Sequence, residues 1–357
     1  MTRASTIALV ILLAATSVAA QTPAPAPAPP PAAQPAPAPQ FPAVRVGMVS
    51  YLQYDAELKN RAGFNAFDLT RGYINVTAAF SPNLRFRFTP DIRRATDGSL
   101  SGSLVLRVKY GFLQADNVGP ATSWVRLGLS QTPWLDFEER IDRYRVQGTM
   151  FSEREGLLPS SGDFGIGYFT PIGGSWAEAH VGVYNGEGAS QTDTNKYKSV
   201  QGRLTVRPFP NGPVAKGLRF SGFYNAGWYA ADRPRRTGLV AGHFEDQRLV
   251  VLLQQVFATE RPTALLPANI DRSGTSAYVE VRQGLQGWAG WMRVERFDPD
   301  TGVSNNARRR AIAAVAYWMR LSGAQVGFVV NDEDVHYGSA DGRPDENRFL
   351  AQVHVEF

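Results

Sequence analysis

The chain has 357 residues, with 37 Lys and Arg against 32 Asp and Glu, four His and no Cys, for a formal net charge of +5. The lack of cysteine excludes disulfides, thiolate chemistry and a lipid-modified N-terminal cysteine. Mean hydropathy is −0.23, and the longest low-charge run after the N-terminus, around Ala311 to Met319, falls short of the ~20 apolar residues that a membrane-spanning helix needs.

At the N-terminus, Arg3 precedes an unbroken apolar run from Ile7 to Ala15, and Val18-Ala19-Ala20 offers small residues before Gln21. That order and size predict a cleaved secretory signal over 1–20. A run this short cannot span ~30 Å of hydrocarbon as a helix. Residues 21–43 are nearly all Pro, Ala and Gln. Such a composition buries no core and favours extended polyproline II, so we expect a semi-rigid periplasmic tether. Binding to cell wall or a partner is the alternative.

From Val44 onward, the chain repeats strand, short turn, strand, longer loop. Leu84, Phe86 and Phe88 interleave with Arg85, Arg87 and Thr89. Leu104, Leu106, Val108, Tyr110 and Phe112 share a face opposite Arg107 and Lys109. Val125, Leu127 and Leu129 oppose Arg126, and Leu204 and Val206 oppose Arg203, Thr205 and Arg207. A period of two, with one apolar and one wet face, is the pattern of a half-exposed strand. Sixteen such segments fit between 45 and 357. Their connections alternate between tight turns and loops, such as 59–66, 93–101, 132–162, 186–197, 230–235, 258–272, 298–308 and 333–345. The expected fold is all-β: a transmembrane antiparallel β-barrel of about sixteen strands over 44–357. An even count returns both ends to one side, and short turns on one rim with long loops on the other is the asymmetry of an outer-membrane barrel. A soluble all-β protein is the alternative. Low hydropathy fits a barrel, because strands hide half their residues in a polar lumen. Sixteen strands leave room for an aqueous channel.

The register places Arg71, Arg85, Arg87, Arg107, Lys109, Arg126, Arg203, Arg207, Arg219, Arg282, Arg293, Arg310 and Arg320 inward, with fewer acids, Glu178, Glu280, Glu295 and Glu356. A charge on the lipid face costs about 2–4 kcal/mol at the midplane, which enforces that choice. Arginines crowded into a channel favour anion entry, and the guanidinium fork suits oxyanions such as phosphate. Pairing with acids, leaving little selectivity, is the competing reading. The expected solutes are small and hydrophilic, and no cofactor is called for.

The loop at 132–162 is too long for a simple connection. It carries Asp136, Glu138, Glu139, Arg140, Asp142, Arg143, Arg145, Glu153, Arg154 and Glu155 around the apolar Trp134, Leu135, Phe137, Tyr144, Met150 and Phe151. We expect it to be the third external loop, folded into the lumen on those anchors, with its charges facing the arginine-bearing wall across a constriction. A solvated outer loop is the alternative.

No Gly-x-Ser-x-Gly elbow or other catalytic pattern surrounds His180, His243, His336 or His354, so an enzyme is not expected. Asn331-Asp332-Glu333-Asp334 reads as a solvated tip opening an external loop, with weak Ca²⁺ binding as its alternative; no metal site is expected. Basic residues alternate with apolar ones and form no patch for nucleic acid.

The chain ends in ENRFLAQVHVEF, with Phe349, Ala351, Val353, Val355 and Phe357 on one face. A terminal aromatic on such a strand resembles the C-terminal recognition signal of bacterial outer-membrane barrels. It implies outer-membrane lipid and the barrel assembly machinery of a Gram-negative cell as partners.

The run from Trp124 to Thr170, with Gly128, Thr132-Pro133, Glu138, Met150-Phe151-x-Glu153-Arg154 and Asp163-Phe164-Gly165, resembles the phosphate-selective porin O/P type. So do Tyr184-Asn185-Gly186-Glu187-Gly188, the stretch Arg203 to Phe209, and Glu295-Arg296-Phe297-Asp298-Pro299-Asp300. The resemblance implies a sixteen-stranded homotrimeric porin passing anions, with the third loop lining the constriction. The third loop here has arginines and acids but no lysine. A non-channel structural or adhesive barrel remains the other class.

Overall fold

A computed structural model describes residues 40–357 apart from Ala62, Asp97 and Thr194. The expected leader, and the tether as far as residue 39, lie outside the described residues. The strands are β1 (Ala43–Glu57), β2 (Asn65–Ser81), β3 (Leu84–Arg94), β4 (Leu104–Asp116), β5 (Trp124–Gln131), β6 (Gly162–Ile172), β7 (Ala177–Tyr184) and β8 (Ser199–Val206), followed by β9 (Leu218–Ala230), β10 (Arg233–Glu245), β11 (Leu249–Glu260), β12 (Ile270–Arg282), β13 (Gly287–Asp298), β14 (Arg308–Leu321), β15 (Ala324–Tyr337) and β16 (Glu346–Glu356). Each pairs with its chain neighbours, and β16 pairs with β1 to close the barrel. The all-β, sixteen-strand antiparallel expectation holds. No described helix is long and apolar enough to cross a membrane.

Closure runs past the last strand residue. The Phe357 and Met48 backbones exchange two hydrogen bonds of 3.0 Å. A Cβ on Gly47 would sit 2.7 Å from the Phe357 carbonyl oxygen, so the seam needs a residue with no side chain there. The Phe357 ring is 59% exposed.

Apolar side chains form the outer face. Leu106, Leu127, Val240, Leu253, Val315 and Phe328 are all exposed, while the residues between them are buried or half-buried. Two features of the expected register are corrected. The β3–β4 ladder shifts between Thr89 and Pro90, leaving Lys109 as an extra residue between Val108 and Tyr110. Such a bulge reverses the alternation beyond it. Tyr110 and Phe112 are therefore buried rather than sharing the exposed face of Leu104, Leu106 and Val108. β15 continues to Tyr337, so Glu333 is not part of a solvated tip. It faces the lumen, where it hydrogen-bonds Gln147 and Arg348 and also pairs with Arg310. Its neighbour Asp332 is exposed and accepts from Asn347. Alternate carboxylates on a strand point apart and do not converge on an ion. Among the described residues no group of three or more potential ligands could hold a metal. The connection expected over 230–235 is a tight hairpin, because β10 begins at Arg233.

The densest packing lies inside the barrel. Between β5 and β6 the chain forms a short helix α1 (Leu135–Ile141) and a single turn α2 (Phe151–Arg154). Trp134, Leu135, Tyr144, Met150 and Phe151 have no exposed surface. The expected inward fold of this loop is what the structure shows, on the expected apolar anchors.

Candidate functional site: the lumen and its folded loop

The loop is fastened to one side of the lumen. Pro133 O accepts from Arg203 Nε on β8 at 3.0 Å, and Leu157 O from Thr237 on β10 at 3.0 Å. Glu138 accepts from Gln254 on β11 at 2.6 Å and from the Trp134 indole at 3.0 Å. Arg143 donates to Glu280 on β12 at 2.8 Å, and the Tyr144 hydroxyl reaches the same carboxylate at 2.9 Å. Asp142 meets Arg293 on β13 at 2.8 Å, Arg154 pairs with Glu295, and Glu155 with Arg308 on β14. Val146 O accepts from Gln352 on β16 at 2.8 Å. Phe151 lies over Gly274 of β12 so closely that a Cβ there would collide with its ring. Packing gives the loop its place: the Tyr144 ring stacks on Trp291 at 4.8 Å and sits edge-on to Trp318 at 5.9 Å.

Burial has an electrostatic consequence. It pushes the Glu138 carboxyl up to about 7, against the hydrogen bond from Gln254 and the Arg293 charge. Burial likewise raises Glu139 and Asp142, in each case outweighing an arginine nearby, Arg145 and Arg293 respectively.

On the opposite side, between the loop and β1–β5, a cavity of about 180 Å³ remains. Asp136, Glu139 and Arg145 of the loop line it on one side, and Arg87, Lys109 and the tyrosines Tyr51, Tyr73 and Tyr110 on the other. Arg145 is turned to its own loop, with Glu139 at 3.0 Å and Glu153 at 3.8 Å. Arg140 is largely exposed, 3.9 Å from Asp136.

The expected pore arginines divide into two groups. Most are neutralised at short range. Arg71 and Arg107 share the fully buried Asp91, Arg85 meets Asp116, and Arg203 and Arg207 share Glu178. Arg219 meets Glu245, Arg282 meets Glu280, Arg293 lies beside Glu295, and Arg310 pairs with Glu295 and Glu333. The lumenal acids are thus more numerous than expected: Asp91, Asp116, Glu245 and Glu333 were not among the acids read as inward. Arg87 bonds neutral partners, Asn75 at 2.7 Å and Thr89 at 3.1 Å. Arg126 bonds Gln114 at 2.8 Å and Gln131 at 2.9 Å and lies 3.9 Å over the Trp124 ring. Lys109 is 3% exposed and lies 5.7 Å from the Tyr110 ring, with Glu139 across the cavity. Arg320 is exposed at the turn rim, facing Gln325 across β14 and β15. Arg87, Lys109 and Arg126 come from three successive strands, β3, β4 and β5. No acid lies within ion-pair distance of them among the described residues.

The architecture is that of bacterial outer-membrane porins. The chain is similar to the loop-L8-deleted OmpT, an outer membrane protein of Vibrio cholerae (TM-score 0.60, 11% identity, 89% of this chain and 100% of that one). It is also similar to the anion-selective porin from Comamonas acidovorans (TM-score 0.58, 15% identity, 88% and 98%) and to Salmonella typhi OmpF in complex with daunomycin (TM-score 0.60, 10% identity, 89% and 98%). No protein-family model and no curated protein sequence matches this chain.

Proposed function

We propose that this protein is an outer-membrane diffusion channel for small hydrophilic solutes, with a preference for anions. The observation that carries the reading is the run of Arg87, Lys109 and Arg126. These three cations have no acid at pairing distance; Arg87 and Lys109 line the cavity between the loop and β1–β5, and Arg126 stands on the adjoining strand β5. Most other wall arginines are paired with carboxylates; Arg235, which donates to the Gly156 and Gly186 carbonyls, and Arg320 are not. In a confined, low-dielectric passage, cations outside short-range ion pairs raise the local anion concentration. The likeness to an anion-selective porin supports the reading, and the trimer form known for OmpT makes a homotrimer the assembly to test. Constriction by the loop, a signal peptide over 1–20 and a periplasmic tether over 21–43 belong to the same reading. So does passive passage without chemistry. Reversal potentials across a planar bilayer in a salt gradient test it; a cation-selective potential removes the preference.

Phosphate and other oxyanions are the anions we favour, because the guanidinium groups of Arg87 and Arg126 offer planar forks. Millimolar phosphate is expected to block chloride current. One observation favours a second reading, a closed structural barrel: the loop packs fully buried aromatic side chains, Trp134, Tyr144 and Phe151, inside the barrel. That reading predicts no conductance from purified, folded protein.

A further inference from the structure

Three successive arginines on β14 point in alternate directions. Arg308 and Arg310 face the lumen and pair with Glu155 and with Glu295 and Glu333. Arg309 between them is exposed on the outer face and makes no hydrogen bond or ion pair with any described residue. Directly opposite it on β13 stands Arg296, also outward, with its side chain 55% exposed. Like charges directly opposed across two strands repel and destabilise the pair. The one acid paired with either of them is Asp298, 3.8 Å from Arg296 on the same strand. On the far side of Arg309, His336 is held between Asp334 at 2.5 Å and Asp345 at 2.8 Å, so its ring nitrogens are already engaged. On this outer face Arg309 is left without an anion, and Arg296 has only Asp298 at 3.8 Å.

Position adds a second constraint. Immediately toward the turn rim, the same outer face is apolar: Met292 and Val294 on β13, and Ala311, Ala313 and Val315 on β14. A charge facing lipid costs about 2–4 kcal/mol at the bilayer midplane and ~0–1 near its edge. The two arginines therefore mark the edge of the hydrocarbon on the side of the long loops. A groove of about 540 Å³ opens there, lined by both arginines and by Thr301 and Ser304 of the connection between β13 and β14.

We propose that Arg296 and Arg309 bind a phosphate monoester on an acylated lipid in the leaflet on the loop side. The opposed guanidinium forks grip the phosphate between them, Thr301 and Ser304 supply hydroxyl donors, and the acyl chains lie along Val294, Ala311 and Val315. A lipid is the occupant rather than free phosphate because the cationic pair is continuous with that apolar strip. The site is on the outer wall and is independent of any channel activity.

The test is binding of lipid A, a bisphosphorylated acylated glucosamine disaccharide, to the purified barrel in uncharged detergent. The native protein is expected to bind it, and Arg296→Gln/Arg309→Gln is expected to weaken binding about tenfold or more, the scale of one or two lost charge-assisted hydrogen bonds. Both proteins are first checked for heat-modifiable mobility on a gel. Arg309→Gln alone, the milder change, is expected to show a smaller loss in the same direction. Phosphatidylcholine is expected to bind neither protein. Equal lipid A affinity in native and double-variant protein overturns the proposal. So does full displacement of lipid A by millimolar inorganic phosphate, which would make the site one for a free anion.

Discussion

Arg293 on β13 donates to the Asp142 carboxylate in the lumenal loop at 2.8 Å, and the two side chains are only 3% and 2% exposed. The residues are 151 apart in sequence, so the pair ties the loop to the far wall. Removing one member of a buried pair leaves an uncompensated charge and costs about 3–5 kcal/mol. Glu295 stays 3.1 Å from Arg293, which puts Asp142→Ala at about 3 kcal/mol, the lower end. The expected result is a lower temperature for loss of the compact, heat-modifiable form. An unchanged transition would mean that the pair does not hold the loop.

The loop as a whole is expected to limit conductance. Deleting Glu138 to Ser152 removes the second half of α1, the Tyr144 stack on Trp291 and the Asp142 and Arg143 anchors. Single-channel conductance in planar bilayers should rise. If current per channel stays the same, the passage does not run between the loop and β1–β5.

Selectivity should follow the three uncompensated cations. Arg87→Gln, Lys109→Gln and Arg126→Gln together remove three charges from the wall formed by β3, β4 and β5, two of them lining the cavity. The reversal potential in a salt gradient should move toward cations. The same change at Arg203, Arg207 and Arg219 removes charges already balanced by Glu178 and Glu245. It should move the potential less, or in a way that follows the freed carboxylates. Equal shifts from the two sets would argue against the assignment.

How much of its own fold a sequence states depends on the distance over which each signal acts. The sixteen strands were legible because the lipid face permits almost no charge, so each strand states its own register. The loop's inward fold was legible from Trp134, Tyr144 and Phe151, apolar anchors in a connection too long to be idle. The turned face of Tyr110 and Phe112 was not, because the bulge at Lys109 shows only against the partner strand β3. Nor could the charge balance be read. Asp91 neutralises Arg71 and Arg107 from a neighbouring strand, and Glu280 reaches Arg143 from 137 residues away. Which cations remain free is a property of the closed barrel.

Glu138 makes stability depend on pH. Its carboxyl is lifted from an ordinary 4.5 to about 7 by burial, so between those values the folded barrel holds a proton that the unfolded chain has released. Stability is then fully present below about 4.5 and is lost as pH climbs through about 7. The loss is at most roughly 3 kcal/mol, taking about 1.4 kcal/mol per pH unit. Glu139 and Asp142 shift the same way and deepen the slope. Thermal unfolding measured from pH 4.5 to 8 should show a falling midpoint, and Glu138→Gln should flatten the fall. A variant with the native slope would clear Glu138 of the effect.

Phe357 should serve closure and not passage. Its backbone completes the β1–β16 seam at Met48, and its ring lies on the exposed outer side, away from Arg87, Lys109 and Arg126. Phe357→Ala keeps both backbone hydrogen bonds and removes only the ring. The expected outcome is less heat-modifiable protein recovered from the membrane, with conductance per inserted channel and reversal potential unchanged. Normal yield would remove the assembly role, since the ring would then contribute nothing that the backbone seam does not. A changed reversal potential would mean instead that the seam shapes the lumen, since β1 carries both Gly47 at the seam and Tyr51 in the cavity wall.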